Sequence, residues 1–348
     1  MSVFIFLGLH AQEPFDNSQK INGLSICGPS SAPFTNQMFD FTKVPNVNCL
    51  AFTPHATLER ISLKLVSDQN QNWWSQSIPG TIAGITLAKG KGYKVMLKPQ
   101  IVLEEIKSDQ GKLAYLFSLF NDPDKTNQAT WRGDFKAKNE RDWQIWEQQY
   151  ENYILRFAHL ADSLDVDLFC IGTELRESVI NRPQFWRQLI KKVRIVYKGP
   201  LTYSANWDEY QQVSFWDELD QIGVNAYFPV SQSVTPDIEA TLDCWQIIID
   251  QLNAVCKKYD RPLLITEFGY QNVNYAGKEP WTHQYDHSSL NYQSQSNLYE
   301  AFFQAFWNKS WVKGAFLWQW LPSPLDQTKI HFTPQNKPAM KILQSWYQ

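Results

Sequence analysis

The sequence predicts a single (β/α)8 barrel, an α/β fold of the TIM-barrel type. Short apolar, β-rich runs recur eight times, and residues at helical spacing fill most of the gaps between them. A length of 348 residues fits one large barrel, and 43% hydrophobic residues supply its core. A doubly wound open sheet is the alternative, but no Gly-rich fingerprint follows any of the runs.

The runs are residues 21–27, 47–53, 94–99, 168–174, 201–206, 221–227, 263–268 and 314–320. Most are rich in Val, Ile, Leu and Phe, as strands buried on both faces are. Helical spacing covers 75–91, 140–164, 183–197, 238–258 and 293–308, and a last amphipathic piece covers 338–346. Residues 3–9 are apolar and lead into polar chain, so residues 1–20 read as a signal-peptide remnant or a disordered N-terminus, and 21–348 as the barrel. A secreted or periplasmic protein is expected on that reading, with a cytoplasmic one left open. No other segment approaches the roughly 20 apolar residues of a membrane span.

Composition narrows the function. Lys plus Arg is 32 against 35 for Asp plus Glu, a net charge of -3, so phosphate-backbone binding is not expected. Five cysteines, Cys27, Cys49, Cys170, Cys244 and Cys256, lack metal spacing. Cys244 and Cys256 fall on one expected helix, about 18 Å apart at about 1.5 Å per residue, too far to bridge. His283 and His287 have a ligand-like spacing but sit in polar, loop-like sequence without a third ligand. No Gly-x-Ser-x-Gly elbow is present, so a serine hydrolase lacks support. Neither a metal nor an organic cofactor is expected. Fifteen Trp and fifteen Tyr suit, beyond the core, a groove that stacks on flat apolar faces such as sugar rings.

Barrel active sites form where the strands end. The fourth run closes on Thr173-Glu174 and the seventh on Thr266-Glu267. A carboxylate ending an apolar run is poorly hydrated and needs a reason. Glu174 shares strand parity with Cys170 and Gly172, small residues that suit a barrel interior. Strands four and seven face each other across the ring, and two opposed carboxyls are what glycosidic cleavage requires. Their like charges are expected to push one pKa up and keep it protonated.

The ordered set Lys98-Pro99, Trp131-Arg132-Gly133-Asp134, Ile171-Gly172-Thr173-Glu174-Leu175, Tyr203-Ser204-Ala205-Asn206-Trp207-Asp208, Asn225-Ala226-Tyr227 and Thr266-Glu267-Phe268-Gly269-Tyr270 resembles glycoside hydrolase family 113. Phe332-Thr333-Pro334 and Lys337-Pro338-Ala339 continue it, so the resemblance spans nearly the whole chain. This β-mannanase-like group belongs to a large clan of retaining barrel glycosidases. The resemblance implies Glu174 as acid/base, Glu267 as nucleophile and Tyr227 as the phenol that orients the nucleophile. The implied activity is retaining hydrolysis of β-mannosidic linkages in a polysaccharide or oligosaccharide. A same-clan β-glucanase or β-galactanase and a catalytically silent polysaccharide-binding barrel are the rivals.

Two departures stand out. Thr173 occupies the place where most of the clan has Asn, and Gln100 stands where His is expected after Lys98-Pro99. The contact to the sugar 2-hydroxyl then falls to Asn206, at the end of strand five. Lys98, ending strand three, is expected to bond sugar hydroxyls or the acid/base, and His55, ending strand two, to touch substrate. Trp131, Trp281 and Trp318 are the expected sugar platforms.

Overall fold

A computed structural model describes residues 20–28, 33–39, 41, 44, 46–67, 74–104, 131–283, 286–321 and 328–347. The expected leader, residues 1–20, lies outside these apart from Lys20. The strands are β1 (Ile21–Ile26), β2 (Cys49–Phe52), β3 (His55–Leu58), β4 (Leu65–Ser67), β5 (Lys94–Leu97), β6 (Gln100–Leu103), β7 (Leu168–Thr173), β8 (Leu201–Asn206), β9 (Ile222–Asn225), β10 (Leu263–Phe268) and β11 (Val312–Trp320). Eight of them close a barrel in the order β1-β2-β5-β7-β8-β9-β10-β11, with every neighbouring pair parallel.

The remaining three strands form a small sheet in the order β4-β3-β6, which the sequence analysis did not anticipate. Its origin is local. Pro54 follows β2 and Pro99 follows β5, and a proline cannot donate to the ladder. The chain leaves the wall there and pairs again beyond it, with His55 opposite Gln100.

Helices α1 (Ile78–Gly90), α2 (Glu140–Ser163), α3 (Arg176–Asn181), α4 (Pro183–Val196), α5 (Ile238–Tyr259), α6 (Tyr292–Phe306) and α7 (Ala339–Trp346) lie within a few residues of the expected spans, except α3, which was not expected. Four begin at a side-chain cap: Ser77, Asn139, Asp237 and Asn291 accept from the third following amide at 2.9–3.1 Å. Helix α2 buries Trp143, Trp146, Tyr150, Tyr153, Ile154, Phe157, Ala158 and Ala161, a stripe at 3–4-residue spacing. Among the described residues no helix is long and apolar enough to cross a membrane.

Alternation along each strand sorts the core into two. Ile21, Cys49, Ala51, Met96, Leu168, Leu264 and Phe316 form an inner apolar cluster, while Leu50, Val95, Phe169, Tyr203, Val224 and Ile265 join the layer under the helices. Much of the aromatic content goes into that outer layer. Trp146 stacks on Tyr150 at 5.0 Å, Trp186 on Phe215 at 5.4 Å, and Phe268 on Phe302 at 4.1 Å. The seam between β11 and β1 needs Gly314: its φ is +139°, and an added Cβ would stand 2.3 Å from the Ile21 carbonyl oxygen. Tyr347 fastens the same seam by donating to Gly23 O at 2.9 Å and Ala315 O at 3.3 Å.

Candidate active site

Beyond the inner apolar cluster the barrel interior turns polar. Lys98 follows Met96 on the inward parity of β5, Ser204 follows Thr202 on β8, and Asn225 follows Gly223 on β9. All of them are buried. Glu267 arrives differently. Leu263 and Ile265 face the helices and Leu264 faces inward, so simple alternation would turn Glu267 outward. The pairing of β10 with β9 shifts register between Ile265 and Glu267. This irregularity lets Thr266 and Glu267 both serve the interior.

Glu267 is buried and accepts three hydrogen bonds. Lys98 Nζ and Gln100 Nε2 (3.3 Å) donate to Oε1, and the Tyr227 hydroxyl donates to Oε2 at 2.8 Å. Burial and the Glu267 charge hold the Tyr227 phenol well above its ordinary range, so it remains a donor. Lys98 is fully buried and pairs with Glu267, whereas the acid/base Glu174 was the carboxylate expected for it. Its ammonium also reaches the Thr266 carbonyl at 3.4 Å and lies 6.0 Å from the Trp318 ring centroid.

Glu174 lies just past β7, buried, with φ +54°. The expected parity with Gly172 does not hold. The β7–β8 register shifts between Cys170 and Thr173. A Cβ on Gly172 would meet Trp186 and Tyr150 at 2.8 Å, so Gly172 faces the helices. The shift and the left-handed residue together aim Glu174 at the mouth. Its Oε1 accepts from Asn225 Nδ2 at 2.7 Å, and its Oε2 from Arg132 Nη2 at 2.9 Å and Trp131 Nε1 at 3.1 Å. Burial alone would raise this carboxyl, but Arg132, Asn225 and Trp131 more than offset it and hold the pKa below its ordinary value. The net shift is therefore downward, opposite to the push expected from a like charge, because the half-buried Arg132 guanidinium touches the carboxylate.

A hydrogen-bonded chain joins the two carboxylates. Glu267 accepts from Gln100, Gln100 Oε1 accepts from Arg132 Nη1 at 3.2 Å, and Arg132 donates to Glu174. A second chain runs beneath it: the Ser204 and Thr266 hydroxyls donate to Asn225 Oδ1 at 2.7 and 2.9 Å, which leaves the Asn225 amide nitrogen aimed at Glu174. Beside Gln100 and Arg132 opens a cavity of about 290 Å³, lined also by His55, Trp318, Phe34 and Cys27. Burial, aided by Arg132 and Lys98, pushes the His55 imidazole down to about 4, so it presents a neutral ring there.

The other expected residues are placed as follows. His55 opens β3 rather than closing β2. Trp318 is half-buried in the cavity wall. Trp131 turns its Nε1 to Glu174, and the Arg176 guanidinium lies 5.2 Å from its ring centroid. Asn206 donates its amide to Asp208 at 2.9 Å within its own turn, and the amide that stands beside Glu174 is Asn225. Trp281 is 43% exposed and stacks on Trp207 at 5.2 Å. His283 packs on Phe332, with ring centroids 5.1 Å apart. Sequence reasoning missed Arg132, Asn225, Ser204 and Thr266. The inward parity of β9 and the Trp131-Arg132-Gly133-Asp134 motif were the available signals.

A comparison with curated protein sequences finds no relative. Solved structures do resemble this one. A family 113 β-1,4-mannanase in complex aligns with a TM-score of 0.74 at 22% identity, covering 95% of this chain and 99% of that one. The family 113 β-mannanase AaManA from Alicyclobacillus acidocaldarius, in complex with ManMIm, also aligns at 0.74 and 22%, covering 94% and 97%. A β-glucuronidase from Ruminococcus gnavus aligns at 0.60 and 13%, covering 94% of this chain and 49% of that one. At these identities the likeness speaks for the barrel. The family model for Glycoside Hydrolase Family 113 matches residues 35–337, most of the chain, with Glu174 and Glu267 inside the match. The protein therefore belongs to glycoside hydrolase family 113 and is a glycoside hydrolase.

Proposed function

We propose that the protein cleaves β-mannosidic linkages in a β-1,4-mannan or manno-oligosaccharide with retention of configuration. One observation carries the mechanism: two buried carboxylates share the barrel mouth and are held by different partners. Glu267, paired with Lys98 through one oxygen and held by the Tyr227 hydroxyl through the other, is an oriented carboxylate, and it is the nucleophile. Glu174 is the acid/base. It gives its proton to the leaving oxygen as Glu267 bonds the anomeric carbon, then takes one from the water that releases the sugar. Arg132 holds Glu174 as a carboxylate in the free enzyme, so the proton enters before the first step. The choice of mannose rests on family membership and on the solved mannanases that the chain resembles.

The test uses two variants and an activated aryl β-mannoside. Glu174→Ala should still form the glycosyl-enzyme, stall, and be rescued by azide to a β-glycosyl azide. Glu267→Ala should be inactive alone and give the α-azide. Azides of one configuration from both variants would refute the roles. Cleavage of gluco- or galacto-configured polymers only would refute the substrate and leave the mechanism standing. No activity on any polysaccharide of a panel would leave a silent binding barrel.

A further inference from the structure

Glu209 lies in the turn after β8, fully buried, and plays no part in the mechanism above. Its Oε1 accepts from the Tyr203 hydroxyl at 2.5 Å and its Oε2 from the Asn206 backbone N–H at 3.1 Å. The Tyr203 oxygen in turn accepts the Leu175 N–H at 2.7 Å. Leu175 directly follows Glu174, which itself donates its N–H to Ser204 O at 2.9 Å. The peptides on either side of Glu174 are thus both tied to β8, one by backbone and one through Tyr203. Glu174 needs such a clamp, because φ +54° is uncommon for a residue with a Cβ and persists only where its surroundings enforce it. The Tyr203 ring is itself immobilised against Trp186 at 5.2 Å and Phe215 at 5.8 Å. Placing a carboxyl here is costly: burial pushes Glu209 up to about 8.

We propose that Glu209 is a positioning residue for the proton donor, holding Glu174 on its line to the leaving oxygen through Tyr203 and the Leu175 amide. This rests on Glu174 being the acid/base. The role is to orient, so its loss harms only the step that needs the proton. A substrate with a poor leaving group requires that proton, and a dinitrophenyl glycoside does not.

The experiment compares the full-length protein with Glu209→Gln, Tyr203→Phe and the double variant. Each is assayed for kcat/KM on a manno-oligosaccharide and on dinitrophenyl β-mannoside. If the wild type prefers another sugar, that sugar replaces mannose in both substrates. Both substrates meet the same preparation, so a smaller folded fraction cancels in their ratio. Glu209→Gln should lose at least tenfold on the oligosaccharide and less than threefold on the dinitrophenyl glycoside. Tyr203→Phe should repeat this selectivity, and the double variant should lose no more than the worse single one. Equal losses on both substrates, or no loss on either, would overturn the proposal while the catalytic roles stand. A folded wild type inactive on both would refute the glycosidase mechanism and this proposal with it.

Discussion

Replacing Lys98 by Met tests the architecture of the site. The Lys98 and Glu267 side chains are 0% and 5% exposed, so the solvent screening that weakens surface pairs is absent. Breaking a buried ion pair costs about 3–5 kcal/mol, because a charge remains without its partner. Glu267 would keep Gln100 at 3.3 Å and Tyr227 at 2.8 Å, two neutral donors. The loss therefore belongs near the lower end, about 3 kcal/mol. With an unfolding entropy of about 2.1 cal/mol/K per residue over 348 residues, Tm should fall by about 4 °C. Adding Glu267→Gln removes the stranded charge, and the double variant should recover all but about 1 kcal/mol. Thermal and urea unfolding at neutral pH measure both. A single variant within about 1 kcal/mol of wild type would show that the pair is not what holds this site. So would a double variant as unstable as the two singles combined.

Two further outcomes follow from the same geometry. Glu174 must be protonated to donate, and Arg132 holds its carboxyl below the ordinary value against the opposing effect of burial. Activity should then fall as pH rises through that lowered pKa, which places the alkaline limb of kcat/KM on the acidic side of neutrality. Arg132→Gln should move the limb to higher pH, and a limb that stays put or moves lower would contradict the assignment. Trp281, exposed and stacked on Trp207, should act as a platform for longer chains. Trp281→Ala should raise KM for a polymer about fivefold, the equivalent of about 1 kcal/mol of stacking, and leave kcat/KM on an aryl glycoside within about twofold; an unchanged polymer KM would exclude it.

Some of this molecule is legible in one dimension. All eight barrel strands were, because strands covered on both faces are mostly apolar runs and turns must interrupt them. Glu174 and Glu267 were legible as candidates for a related reason: a carboxylate at the end of such a run is costly, and the cost makes it conspicuous. Tyr227 could be placed at the mouth because alternation continues undisturbed from Gly223 through Asn225. Alternation misplaced Gly172, since one register shift resets the side-chain parity beyond it and no residue type announces the shift. The number of tryptophans was equally silent on position, and Trp146, Trp186, Trp216 and Trp245 proved to be fully buried. The partnerships at the mouth required the closed barrel. Lys98 meets a carboxylate 169 positions away. Arg132 depresses the very acid that charge repulsion was expected to raise, and the side-chain amide bonded to that acid is Asn225. Local sequence determines which segments are buried and which way most side chains point. Only ring closure decides which of the inward-pointing charges meet, and for Glu174 the meeting with Arg132 at 2.9 Å turns its pKa downward.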